Sequence, residues 1–151
     1  MKKEIVWQTT TPSETRKRGE KLAKKLKKNP PFRPLIIALK GPLGGGKTTF
    51  AQGFARGLGI KEKILSPTFV IRKRFPLRSC FFSNLYHLDC YRIPTPKELI
   101  SLGIKEILNN QENIILIEWP EKIKKLLRKP FIEISFSFLK KGRQIRIKTY
   151  E

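Results

Sequence analysis

The sequence predicts an α/β sandwich built on a mixed, partly parallel sheet. Three features point to it. Apolar runs short enough to be buried strands alternate with stretches at helical spacing. A glycine-rich turn joins the first such run to a helix, and the chain ends in an alternating pattern that reads as a hairpin. The 151 residues fit one domain with its own core, and 39% hydrophobic against 30% charged residues is a folded, water-facing composition. No apolar run approaches the roughly 18 residues of a membrane span. The first residues lack a continuous apolar stretch, so a secretory leader is not expected and a cytoplasmic protein is.

Charge is the unusual property. Lys and Arg total 33 against 12 Asp and Glu, a formal net charge of +21. Such a surplus favours contact with polyanions, among them RNA, and equally describes a chain with many solvated lysines. Cys80, Cys90 and the single histidine match no metal-ligand spacing, so a reduced chain without a zinc site is expected.

In order along the chain, Thr11-Pro-Ser-Glu14 has the pattern of a helix start, with Thr11 as cap, Pro12 in the first turn and Glu14 at the capping-box position. Thr15, Gly19, Leu22, Ala23 and Leu26 continue at helical spacing. Arg16, Lys17, Arg18, Lys21, Lys24, Lys25, Lys27 and Lys28 form a basic outer face, and Asn29-Pro30-Pro31 stops the helix. Leu35-Ile-Ile-Ala-Leu39 reads as a buried strand, residues 41–46 as a turn and 48–58 as a helix ending at Gly59. Strands are expected at 69–76 and 81–91, and a helix at 94–108 interrupted near Gly103. Ile114-Ile-Leu-Ile117 is another buried strand, 121–128 a short basic helix, and the tail a hairpin turning at Lys141-Gly142.

The strongest chemical signal is Gly41-Pro-Leu-Gly-Gly-Gly46-Lys47-Thr48, which matches the P-loop pattern. Glycines allow a concave backbone whose amides face an anion, and the following helix presents its positive end. Gly44, Gly45 and Gly46 are the expected cradle. Lys47 is the cation for β- and γ-phosphates, Thr48 a hydroxyl for Mg²⁺, and Thr49 a hydroxyl near the α-phosphate. Pro42 lacks an amide hydrogen but sits outside the 44–48 segment. Context supports the motif, because the loop follows a strand and opens a helix. With it, the expected fold is a P-loop NTPase-like three-layer sandwich with a central mixed, mainly parallel sheet and a C-terminal hairpin.

Nucleotide hydrolysis also needs a carboxylate for the metal or the attacking water. Asp89 and Glu118 each end an expected strand, where ligands of open α/β sheets bind. Ser66-Pro-Thr68-Phe69 is a hydroxyl-bearing loop that reads as a γ-phosphate sensor or as a proline turn, and spacing favours the turn. His87 reads as a satisfied strand residue, and Trp119 as a buried aromatic or a cover over the site. Arg72, Lys73, Arg74 and Arg78 fit a phosphate backbone or plain solvent.

Together, Gly41-Pro-Leu-Gly-Gly-Gly-Lys-Thr-Thr-Phe50, Ser66-Pro-Thr-Phe69, His87-Leu-Asp-Cys-Tyr-Arg92, Glu98-Leu99 before Gly103, and Glu118-Trp-Pro-Glu121 resemble the TsaE (YjeE) family. Order and spacing agree over nearly the whole chain. The resemblance implies a bacterial ATPase of tRNA modification that binds ATP and Mg²⁺ and hydrolyses ATP weakly alone. It implies work with a TsaB–TsaD complex, which transfers a threonylcarbamoyl group to the adenosine beside the anticodon of tRNAs reading ANN codons. It implies phosphate and Mg²⁺ roles for Lys47 and Thr48, hydrolytic roles for Asp89 and Glu118, a switch-like loop containing Thr68, and a place beside the site for Trp119. Thr11 falls at the family's helix start and is carried over as a nucleotide contact. The chain departs from the family at Pro42, commonly Asp, and at Gly45, commonly Ala.

Two other readings use the same residues. A small P-loop kinase for a nucleotide or metabolite would need a lid and an acceptor pocket, for which 151 residues leave little room. A basic nucleic-acid-binding module would treat Pro42 as a lesion in a degenerate site. No Asn-Lys-x-Asp guanine-reading motif is present, which argues against a GTPase.

Overall fold

A computed structural model describes residues 4–65, 72–93 and 95–151. The strands are β1 (Glu4–Thr9), β2 (Leu35–Lys40), β3 (Arg72–Pro76), β4 (Asn84–Asp89), β5 (Asn113–Glu118), β6 (Phe131–Phe138) and β7 (Arg143–Tyr150). The helices are α1 (Pro12–Lys28), α2 (Lys47–Gly57), α3 (Pro96–Ser101) and α4 (Ile104–Asn109). The strands form one seven-stranded sheet in the order β1-β7-β6-β2-β5-β4-β3. Its centre is parallel, through the β6–β2, β2–β5 and β5–β4 pairs. Both margins are antiparallel: β4–β3 at one edge, β6–β7–β1 at the other.

Alternation along the central strands divides the core between the two faces of the sheet. Leu35, Ile37, Leu39, Ile114 and Leu116 pack under Ala23 and Leu26 of α1 and Phe50 and Phe54 of α2. Ile36, Ile115 and Ile117 face the other way, against Leu99, Ile104, Ile107 and Leu108 of α3 and α4 and against Ile123. The two layers of helix cover a strand pair that is apolar on both sides, which is why β2 and β5 carry no alternation in polarity.

The helix start is close to expectation. Thr11 caps α1, its hydroxyl accepting from the Glu14 amide at 3.1 Å. Glu14 reaches one residue further back than a standard capping box, accepting from the amide of Thr10 at 2.6 Å. Those Thr10 bonds hold the Glu14 carboxyl below its ordinary range. Two small residues then set the distance between α1 and α2. A methyl group on Gly53 would collide with the Arg16 carbonyl, and one on Gly19 with the Phe50 carbonyl. Gly53→Ala is therefore expected to destabilise the fold by about 1–3 kcal/mol through overpacking, read by urea unfolding. A loss below about 0.5 kcal/mol, the range of a neutral surface change, would contradict this close approach.

Several expectations are corrected. The strands expected at 69–76 and 81–91 are trimmed to Arg72–Pro76 and Asn84–Asp89, with 69–71 outside the described residues. The interrupted helix is two short ones, split by Gly103 in the left-handed region at φ 79°. The basic helix expected over 121–128 is a single 3-10 turn, Pro120–Ile123, whose buried residues are Pro120 and Ile123. Beyond it the chain continues as turns, the Leu126 and Leu127 amides donating to the Ile123 and Lys124 carbonyls, and both leucines still pack against the core. β1 was not expected at all. Among the described residues, no helix is long and apolar enough to cross a membrane.

Candidate nucleotide site

The carboxyl ends of the parallel strands meet at one place. β2 leads into the glycine-rich loop, and β5, its neighbour, ends in Glu118. β4 ends in Asp89, which stands opposite Glu118 in the β4–β5 register. Two acids far apart in sequence are thus brought side by side next to the loop. A pocket of about 440 Å³ opens there, within the range of small-ligand sites. Of the expected site residues, Thr11, Gly44, Gly45, Gly46, Lys47, Thr48, Thr49, Asp89, Glu118 and Trp119 all line it. Thr68 lies outside the described residues.

The loop owes its curvature to glycine. Gly44 and Gly46 take φ 73° and 105°, values that side-chain-bearing residues rarely adopt. Gly46 is also the N-cap of α2 and supplies no side-chain acceptor, so the first amides of the helix, which have no intrahelical partner, meet no side-chain cap among the described residues. The Gly45 amide differs from expectation: it donates to the Pro42 carbonyl at 3.0 Å, inside the loop. Pro42 therefore serves the turn as an acceptor, a role that its missing N–H does not touch. The two departures from the family pattern also meet here. A Cβ on Gly45 would lie 2.9 Å from the Pro42 carbonyl oxygen and 3.4 Å from its ring carbons.

Lys47 is only 6% exposed. Its Nζ donates to the carbonyls of Gly41 at 2.5 Å and Pro42 at 3.2 Å and lies 3.9 Å from the centre of the Trp119 ring. Burial pushes the ammonium below the ordinary lysine range, while Glu118, Glu121 and Asp89 pull it back up. Burial, with the same acids adding to it, raises the Cys90 thiol to about 12. Cys90 is thus an inert, protonated filler of the core rather than a nucleophile.

Glu118 is 2% exposed and both its oxygens are engaged. Oε1 accepts from the Thr48 hydroxyl at 3.2 Å, and Oε2 is hydrogen-bonded to His87 Nε2 at 2.7 Å. His87 is the satisfied strand residue the sequence suggested, and its partner is the carboxylate of the site. Asp89 is half-buried and accepts from the Tyr91 amide at 3.0 Å. Trp119 sits in the left-handed region at φ 59°, with its ring 4.9 Å from that of Tyr91. It is half-buried, lying over Lys47 while also packing against the core layer that holds Ile117 and Ile123. The basic cluster near 72–78 is turned elsewhere: Arg72 donates to the Leu102 carbonyl and Arg74 to the Asn84 side chain.

Thr9, Thr10, Thr15, Tyr91, Gly142 and Arg143 also line the pocket and were missed as site residues. The threonine run 9–11 could have been noticed, since it abuts a helix start beside the loop. Arg143 has no local signal. It arrives from the terminal hairpin, where its Nη2 donates to the Gly44 carbonyl at 3.1 Å and its guanidinium lies 4.5 Å from the Phe138 ring centre.

A glycine-rich strand-to-helix loop and carboxylates at adjacent strand ends, set in a three-layer sandwich, define the P-loop NTPase-like class of α/β proteins. Comparison with known proteins narrows the class. A family model described as threonylcarbamoyl adenosine biosynthesis protein TsaE matches residues 9–145, and the chain belongs to the TsaE family. The tRNA threonylcarbamoyladenosine biosynthesis protein TsaE of Rickettsia felis is 38% identical over 133 residues, 87% of this chain and 72% of that protein. The Bacillus subtilis protein of the same name is 36% identical over 132 residues, 87% of this chain and 77% of its own. The crystal structure of Bacillus subtilis YdiB superposes with a TM-score of 0.75 at 30% identity, covering 100% of this chain and 88% of that one.

Proposed function

We propose that this chain is a single P-loop ATPase domain, cytoplasmic like the tRNAs whose modification it supports. It binds ATP with Mg²⁺ and hydrolyses it in support of threonylcarbamoyladenosine formation on tRNAs reading ANN codons, acting with a TsaB–TsaD complex. The observation that carries the chemistry is the placement of Glu118. Its carboxylate holds the Thr48 hydroxyl at the start of α2, in the pocket that also contains the Lys47 ammonium. A triphosphate in this pocket offers Lys47 stronger acceptors than the loop carbonyls it now contacts. The amides at the start of α2 are the complementary donors.

The donors also suit the cation. Thr48, Glu118 and Asp89 offer hard oxygen atoms within one pocket. Among the described residues no cluster of three or more His, Cys, Asp or Glu forms a full protein cage. That pattern fits Mg²⁺, which keeps waters and relies on one or two carboxylates plus substrate phosphates. Bound there, the ion would neutralise charge on the β- and γ-phosphates. Through its contact with Thr48, Glu118 stands on the metal side, and Asp89, one strand over, is the group for the attacking water.

His87 fixes the Glu118 rotamer in this reading. His87→Ala leaves a buried carboxylate oxygen without its partner, so stability is expected to fall by about 1–3 kcal/mol. kcat should fall while the Kd for ATP stays unchanged, measured by calorimetry beside steady-state turnover. Equal kcat in the variant would remove His87 from the site.

Reconstitution tests the function as a whole. The chain is mixed with TsaB, TsaD and tRNA from the same organism, and ATP hydrolysis and tRNA modification are followed together. Stimulated hydrolysis and multiple-turnover modification that stops when this chain is left out are the expected results. Sustained modification without it would overturn the reading.

A further inference from the structure

Helix α1 carries lysines in a pattern that packing and helix stability explain only in part. Its buried residues, Thr15, Gly19, Ala23 and Leu26, mark one face. At about 100° per residue, Lys17, Lys21, Lys24 and Lys28 fall on a narrow stripe directly opposite. Each of these lysines is exposed. Neighbours along the stripe are three or four residues apart, a spacing of about 5–6 Å, and the stripe is about 16 Å long. Lys24 is paired with Glu20 at 3.1 Å, whereas Lys17, Lys21 and Lys28 form no salt bridge among the described residues. The helix dipole favours cations in the last turn, which accounts for Lys25, Lys27 and Lys28 but not for Lys17 or Lys21.

The composition of this face selects among partners. Protein interfaces are depleted in Lys and are anchored by aromatic or aliphatic side chains. The exposed large apolar residues of this chain, such as Val6, Leu43, Phe81 and Phe138, all lie off α1. A row of cations one helical turn apart, without an apolar anchor, is suited to a phosphate backbone. The helix that carries the row begins at the nucleotide pocket, which Thr11, Pro12 and Thr15 line.

We propose that the outer face of α1 docks the phosphate backbone of a structured RNA, contacted by Lys17, Lys21, Lys24 and Lys28. The choice of RNA over other polyanions rests on the function proposed above. The duty of this face does not depend on the nucleotide chemistry. RNA laid along α1 would pass the rim of the pocket, within reach of coupling to nucleotide binding.

The test uses the full chain and an unmodified tRNA transcript with an ANN-reading anticodon, with binding followed by fluorescence anisotropy across a KCl series. One variant carries Lys17→Gln, Lys21→Gln, Lys24→Gln and Lys28→Gln. A control loses the same charge on the opposite side of the sheet, through Lys122→Gln, Lys124→Gln, Lys125→Gln and Lys129→Gln. The α1 variant is expected to bind at least about tenfold more weakly, and the slope of log K against log salt to shrink by about 3. The control should lose less than about one unit of slope. ATP turnover, measured in parallel, should be unchanged in both. Equal loss in both variants, or none in the α1 variant, overturns the proposal. So does a loss of TsaB–TsaD binding with tRNA binding intact, which would make this face a protein dock. Absent ATP turnover in the parent chain is a separate failure, that of the ATPase reading.

Discussion

Glu118→Gln is expected to keep ATP bound and to lower its turnover by about 10²–10⁴-fold, the range for a group acting on the reacting atoms. Gln preserves the shape of the side chain and can still accept from His87 and meet the Thr48 hydroxyl. What it lacks is the negative charge that a metal and its waters require at this position. A truncation to Ala would instead open space beside the buried His87 and the half-buried Thr48 and mix a folding defect with a chemical one. Single-turnover phosphate release against calorimetric ATP affinity separates the steps. Turnover within a few-fold of the parent would show that Glu118 only braces the strand end.

Lys47→Ala should have the opposite signature. ATP affinity is expected to fall by about 100-fold or more, since charged hydrogen bonds of about 1.5–3 kcal/mol to the phosphates are lost. Calorimetry at fixed Mg²⁺ reads this directly. The substitution also leaves Glu118, Glu121 and Asp89 without the cation they surround, so the pocket becomes repulsive to a triphosphate rather than merely weaker. Unaltered affinity would place the nucleotide elsewhere on the molecule. The pair of variants is more informative than either alone: one separates binding from chemistry, the other removes binding.

The centre of the fold was readable because its determinants are local. β2 and β5 announce themselves as short apolar runs, and the loop after β2 needs glycine for its backbone. The terminal hairpin alternates in polarity and turns at Gly142, at φ 85°. The antiparallel margin was only half readable. β1 alternates exposed with half-buried residues and shows little apolar contrast. It becomes a strand by pairing with β7 from the other end of the chain, Thr9 against Arg143. The same pairing brings Arg143 and Gly142 to the pocket, so missing β1 meant missing that wall of the site.

The acids at the strand ends illustrate the other limit. Each was identifiable as a strand-terminal carboxylate, but their adjacency depends on β4 and β5 being parallel neighbours in register. Nothing local to His87 marks it as the residue that holds Glu118. That contact is created by the same register, which lays His87 diagonally across from Glu118 on the neighbouring strand.

The most direct test is a crystal structure of the chain with Mg²⁺ and a non-hydrolysable ATP analogue. The triphosphate should lie in the curve of residues 41–48, with Lys47 Nζ moved from the Gly41 and Pro42 carbonyls to phosphate oxygens and Thr48 and Glu118 facing the metal. A nucleotide bound away from this loop, or one in it with Lys47 still on those carbonyls and Glu118 turned from the metal, would contradict the account.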